Sequence, residues 1–487
     1  MKTIRILTIF IVIIILNYSC KESFFDEYPT DSLSEVNFFK TSNDFETMLN
    51  DGYRLLRTPY SLNYTMGDIA ADDAYNSEYN HNTDRISINE SNVSSDNGTL
   101  KSYWDGSYAL ISRTNLVLDN IDEIVMEESL KNRYRGEAIF LRSLTYFNLI
   151  RIFGDVPLVL SDVKDPKDAF SYSREPVANI YEQIIDDLKE AEEWLPDSYT
   201  DNSDIGRATS MASKSLLGHI FLTRKNYSDA ATKFLEIINS NKHNLLANYA
   251  DIFDAAQSNN EEIIFAVQYA RGLDPAQGNP LVSSAWPNEI VGDNPLLKLG
   301  RGDLLMTADL EKAFEEGDQR KSMNNYDFTT GYSRRYVFTR KFWDNDMVDV
   351  LDSGCDYIIY RYADILLMYA EVQNELNRSV EALNYLKLVR DRAGLTTDTA
   401  IGNSQVLIRS AIEKERRIEL NNEGHRWFDL LRTDRLIPVM NAHFQDISLN
   451  YEEIGTNSSV EEYELIFPLP FFEVNLNPDK LIQNPGY

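Results

Sequence analysis

The sequence predicts a mainly α-helical fold, a tetratricopeptide-like scaffold of helical hairpins with inserted loops and a few short strands. Three observations predict it. Leu217, Gly218, Phe221, Ala230 and Phe234 fall at positions 7, 8, 11, 20 and 24 of a tetratricopeptide repeat, and Asn226 supplies the turn. A looser copy places Ala370, Ala382 and Leu386 at positions 8, 20 and 24. Apolar residues also recur at helical spacing through 100–124 and 130–153. The small residues let two helices approach while large apolar ones fill the seam.

The elements follow in chain order. Residues 1–19 read as a lipoprotein signal peptide: Lys2 and Arg5 are basic, and Ile6 to Leu16 is apolar apart from Thr8. That run is too short for a comfortable span of roughly 20 residues. Cys20 follows directly and is the expected lipidation site, although Asn17 stands where leucine is usual. Several acyl chains at ~0.8 kcal/mol per buried CH₂ would anchor the protein. Residues 20–40 are a polar tether, and 41–487 a single body. Within it, Phe45, Met48, Leu49, Leu55 and Leu56 mark a helix over 43–57. Residues 68–97 are rich in Asp, Asn, Ser and Tyr and read as a long surface loop. Gly154-Asp155-Val156-Pro157 stops the helix before it. Helix pairs are expected near 134–194, 209–240 and 360–393. Strands are expected at 262–269 and 335–342, a loop at 270–302 and a helix at 303–316. Loop-rich insertions, the candidate places for a ligand, fall near 68–97 and 270–350.

Composition narrows function. The formal charge is −30, and removal of Lys2 and Arg5 with the signal takes it to −32. So acidic a chain lacks the basic footprint of nucleic-acid binding. Beyond Cys20 only Cys355 remains, so no internal disulfide forms. The histidines make no HExxH and no tight cluster, which leaves a zinc enzyme little support. No cofactor is expected. Asp344-Asn345-Asp346, with Asp349 and Asp352, could collect a structural Ca²⁺, though the spacing fits no EF-hand.

The best ligand candidates lie in the 68–85 stretch. Asp72, Asp73, Asn76, Asn80 and Arg85 offer hydrogen-bonding groups to vicinal hydroxyls, beside the rings of Tyr75, Tyr79 and His81. Trp286 and Trp343 stand in polar loops, where a flat ring can stack on a pyranose face. Trp104 and Trp194 lie on helical patterns and read as core. The block 421–432 holds an acid, an imidazole and arginines, yet lacks an oriented nucleophile or base. It reads as a structural helix–turn–helix, with buried pairing among Arg416, Arg417, Glu419 and Arg426.

Five blocks in order carry a family resemblance. They are Cys20 with Phe25, Asp26 and Pro29; RSLTYFNLIRIFGDVPL from Arg142; and YRYADILLMYAE from Tyr360 leading to VRDRAGL from Val389. ERRIELNNEGHRWFDLLR from Glu415 follows, and then FPLP from Phe467 with QNPGY at the end. In these the chain resembles the SusD/RagB family of outer-membrane nutrient-binding lipoproteins of Bacteroidetes. The resemblance implies a SusD-like helical body with the ligand site in inserted loops. It implies a non-catalytic lipoprotein of the cell outer membrane, lipid-anchored and facing the exterior. Such a protein captures glycan and delivers it to a SusC-like TonB-dependent outer-membrane transporter. The alternative is a peptide-binding protein or mainly a structural lid of the transporter. A glycosidase, which needs two carboxylates about 5–9.5 Å apart around the sugar, is the third reading. The recognisable blocks are scaffold and transfer no binding residue.

Overall fold

The computed structural model describes residues 38–77, 82–287, 300–324, 326–329, 335–397, 402, 404–446 and 459–487. The signal peptide, Cys20 and nearly all of the tether therefore lie outside the described residues. Among the described residues no helix is long and apolar enough to cross a membrane.

Helices α1 (Ser42–Leu55) and α2 (Arg57–Tyr64) lead into a π-helical turn at Thr65–Ile69. Helices α3 (Thr83–Asn89) and α4 (Gly98–Asn120) follow, and then the long α5 (Glu128–Phe153). From Gly136 to Ile150 every residue of α5 is buried, so it runs through the core rather than over it. Gly154 ends it with φ +73°, where only glycine is unstrained. Helix α6 (Val177–Trp194) returns against α5.

The next hairpin joins α7 (Ser210–Thr223) to α8 (Tyr227–Ser240). A Cβ on Gly218 would stand 2.5 Å from the Phe234 ring, so the close approach needs glycine at that position. The third hairpin, α9 (Tyr362–Glu375) with α10 (Ser379–Arg392), packs on α8. Ala370, Ala382 and Leu386 are fully buried in its seam. Helices α11 (Gln405–Glu419) and α12 (Arg426–Arg432) complete this side.

The strands are few. β4 (Ile263–Val267) pairs antiparallel with β8 (Tyr357–Arg361), and β2 (Val156–Pro157) with β3 (Arg174–Glu175). A small antiparallel sheet runs β1 (Ala74–Tyr75), β5 (Leu305–Met306), β7 (Arg335–Phe338), β6 (Tyr326–Thr329). The expected helix at 303–316 is thus a strand followed by a short helix, Ala308–Ala313. The expected loop at 270–302 contains a helical turn, Leu281–Ala285.

Two corrections concern buried charge. The stretch expected as a surface loop begins deep inside: Asp68, Asp72, Asp73 and Asn76 are all buried. Its acids meet α11 and α12 across some 350 residues of sequence, which no local pattern reveals. Asp68 accepts the Gly424 N–H at 2.9 Å, and Asp72 accepts Arg426 Nε at 2.7 Å. The second correction is that Arg416, Arg417, Glu419 and Arg426 are buried or nearly so, but each pairs elsewhere. Arg416 meets Asp364 (2.7 Å), and Arg417 meets Asp73 (2.6 Å) and Asp309 (2.7 Å). Glu419 sits among Arg361 (2.5 Å), Arg320 (2.8 Å) and Arg392. Arg361 also reaches Glu423 (2.9 Å) and Glu262 (3.1 Å), and Lys341 joins at Glu423 (2.6 Å). Burial pushes the Lys341 ammonium down to about 8 even with Glu423 beside it.

Asp356, just ahead of β8, makes a testable contrast. Burial pushes its carboxyl up to about 6, although the Tyr269 N–H donates to it at 2.8 Å. A raised carboxyl contributes stability that is complete below its unfolded value near 4 and is lost as pH rises through about 6. Asp356→Asn removes the buried charge and keeps an acceptor for Tyr269. At pH 8 it is expected to stabilise the protein by about 2–3 kcal/mol. Roughly half of that gain should remain at pH 5. Unfolding midpoints at the two pH values check this, and a gain that does not change with pH would contradict it.

Candidate functional site

The loop after β7 builds a cleft of about 430 Å³ lined by Trp343, Asn345, Asp346, Asp251, Asp254, Arg271 and Arg340. Its floor is fixed by one buried carboxylate. Asp344 accepts the Asp346 N–H at 3.0 Å, the Gly354 N–H at 2.9 Å and the Arg271 guanidinium. Burial alone would raise the Asp344 carboxyl, but these donors hold it below the usual range. Asp344 in turn raises the Arg271 pKa through their hydrogen bond. Asp346 is exposed and meets Arg271 at 2.8 Å.

Trp343 is half-buried and its Nε1–H donates to Asn345 Oδ1 at 3.1 Å. Its ring lies 4.5 Å from Trp286, which lies 4.9 Å from Phe338 of β7. The three rings follow one another in a tilted series, at 36° and 55° between planes, with Trp343 at the cleft end. Trp286 is held from behind: its carbonyl accepts the Gly302 N–H at 2.7 Å. A Cβ on Gly300 would come within 2.5 Å of the same oxygen. A rigid, backed ring beside carboxylates and an amide is chemistry that stacks on a sugar face and binds its hydroxyls.

The sequence candidates divide sharply. Trp343 lines the cleft. Trp286 is buried and backs the ring of Trp343 rather than offering a face of its own. Tyr75 is buried in β1, opposite Leu305. Asp72 and Asp73 are corrected from ligand groups to buried ion partners. Burial opposes the Asp72 charge, yet Arg417 and Arg426 hold its carboxyl far below the usual range. Asp73 is pushed up by burial and by Asp72, against the pull of Arg417. Arg85 is likewise engaged, with Asp303, and lies 5.7 Å over the Tyr64 ring. Tyr79, Asn80 and His81 lie outside the described residues. Sequence reasoning missed Asp251, Asp254, Arg271 and Arg340, which come from separate stretches and join only in the fold. The Asp344-Asn345-Asp346 run beside Trp343 was the one local signal.

The acids proposed for calcium accept donors within the chain, while one Asp352 oxygen has no partner among the described residues. Asp349 caps the Leu351 N–H at 2.9 Å and Asp352 accepts the Gly272 N–H at 2.8 Å. Among the described residues no group of three or more His, Cys, Asp or Glu is placed to hold a metal ion. Cys355 is buried, and burial pushes its thiol up to about 12, so it is a poor nucleophile.

Stacked helical hairpins with loops inserted between them define a tetratricopeptide-like helical protein. Comparison with known proteins agrees. Residues 308–487 match the SusD family model, and 23–222 match a model described as starch-binding, associating with the outer membrane. A SusD-like protein of Formosa agariphila is 27% identical, over 99% of both chains. A SusD superfamily protein from Parabacteroides distasonis is 27% identical with a TM-score of 0.74, covering 92% of this chain and 100% of that one. A laminarin-binding SusD-like protein is 25% identical with a TM-score of 0.78, at the same coverage. The chain belongs to the SusD/RagB family.

Proposed function

We propose that this chain is a cell-surface glycan-binding lipoprotein, anchored to the outer membrane through Cys20. It captures an oligo- or polysaccharide without cleaving it and delivers it to a SusC-like TonB-dependent transporter. The observation that carries the reading is Trp343, backed by Trp286 and Phe338 at the mouth of a polar cleft. The family description as starch-binding and outer-membrane-associated supports it, as does a relative named for laminarin binding. The non-catalytic reading rests on the family, and one cleft carboxylate is unsuited to the acid's part. Glycoside hydrolysis needs a carboxyl held protonated as the acid. Asp344 is instead held ionised by its N–H donors and Arg271.

Binding of a panel of polysaccharides, oligosaccharides and peptides tests the reading, followed by calorimetry on any hit. Trp343→Ala is expected to weaken glycan binding about tenfold or more, the loss of one ring contact and its ordering effect. A glycan hit that survives Trp343→Ala would move the site elsewhere. Binding of peptides with no glycan hit would favour the peptide reading, and release of reducing sugar would overturn the non-catalytic one.

A further inference from the structure

A second opening, a groove of about 460 Å³, lies between α4, the β2–β3 region and the C-terminal segment. Trp104 and Tyr108 form one wall, with ring centroids 4.8 Å apart, and Val159, Phe170 and Leu476 contribute to the others. Two polar groups of the wall are satisfied within it. Tyr108 donates its hydroxyl to the Pro157 carbonyl at 2.8 Å, and Asn477 donates to the Phe170 carbonyl at 3.1 Å. Phe170 and Leu476 line the groove as exposed apolar side chains, and Phe471, Phe472 and Ile482 are exposed near them in the C-terminal sequence.

One charged group interrupts this surface. Glu473 is half-buried in the groove, and its carboxylate accepts no hydrogen bond among the described residues. Burial and the neighbouring Asp105 both push its pKa up, and Lys101 pulls only partly against them. Lys101 is itself paired with Asp105 at the rim. The groove therefore presents a ring-lined trough with a carboxylate inside that Lys101 compensates only in part. An anionic membrane surface would be repelled.

We infer that this groove is a docking site for a partner-protein segment in which one arginine or lysine is flanked by apolar side chains. The apolar flanks cover the ring wall and rim, and the cation meets Glu473 over the aromatic faces. This site is separate from the Trp343 cleft and does not depend on its function.

The probe is a fluorescein-labelled heptapeptide with a central arginine between two Leu-Phe pairs, read by fluorescence polarisation against the purified protein. Its counterpart carries glutamate at the centre. The arginine peptide is expected to bind at least about tenfold more tightly than the glutamate one. Glu473→Gln should erase that difference, and Glu473→Arg should reverse the preference, which no general loss of folding can do. Absence of binding by the arginine peptide, equal binding of the two peptides, or an unchanged preference in Glu473→Gln would overturn the inference. Binding to phosphatidylcholine vesicles in place of either peptide would assign the apolar rim to a lipid surface and overturn it equally.

Discussion

Gly424→Ala is expected to prevent the protein from folding to its native stability, at a cost of about 3 kcal/mol or more. Two effects combine. The residue has φ +82°, a conformation that disfavours any side chain. A Cβ there would also stand 2.2 Å from Asn63 Nδ2 and 2.5 Å from the Tyr357 hydroxyl. Neither neighbour is free to retreat, since Asn63 is buried and donates to that hydroxyl at 3.1 Å. The facing residue is equally constrained, for a Cβ on Gly67 would come within 2.3 Å of the Gly424 carbonyl. Thermal unfolding and soluble yield measure the loss. A variant that unfolds within about 1 °C of the native protein would show that this crossing tolerates a methyl group.

The second large effect is expected at Glu419→Gln. Glu419 is fully buried, and three guanidinium groups converge on it from Arg320, Arg361 and Arg392. Burial opposes its charge, but those arginines hold its carboxyl far below the usual range. Neutralising it leaves buried cations undercompensated, a change that costs about 3–5 kcal/mol when one partner of a buried pair is lost. The sign with pH follows. A depressed carboxyl contributes stability above its unfolded value near 4.5, and that contribution fades as pH falls toward the folded value. The gap between native and Glu419→Gln unfolding midpoints should therefore be widest near pH 7 and narrow in acid. Equal midpoints at pH 7 would mean that Glu262, Glu415 and Glu423 carry the cations without it.

Much of the scaffold was legible because its signals are local. Gly218 and Phe234 sit at fixed repeat positions, and the structure shows the reason: the glycine faces the ring at a distance no Cβ allows. Helix α5 announced its ends through an apolar period and the stop at Gly154. The 68–85 stretch misled because polar composition looks the same whether a side chain meets water or a remote arginine. Asp72 belongs with Arg426, 354 residues away, and nothing near Asp72 says so. The cleft was half legible for a related reason. Trp343 and Asn345 are neighbours in sequence, whereas Arg271, Asp251 and Asp254 reach the same opening from β4-flanking segments. Tryptophan in a polar loop was a sound signal for Trp343 and an incomplete one for Trp286, whose ring is covered by its partner.

The pairing of Asp68, Asp72 and Asp73 with Gly424, Arg426 and Arg417 also sets an order of events during synthesis. The acids emerge first and their donors emerge among the last seventy or so residues of the chain. Until then the early segment carries negative charges that only water can stabilise, so it gains little by collapsing. The late arginines act as a clasp that closes the body once the whole chain has arrived.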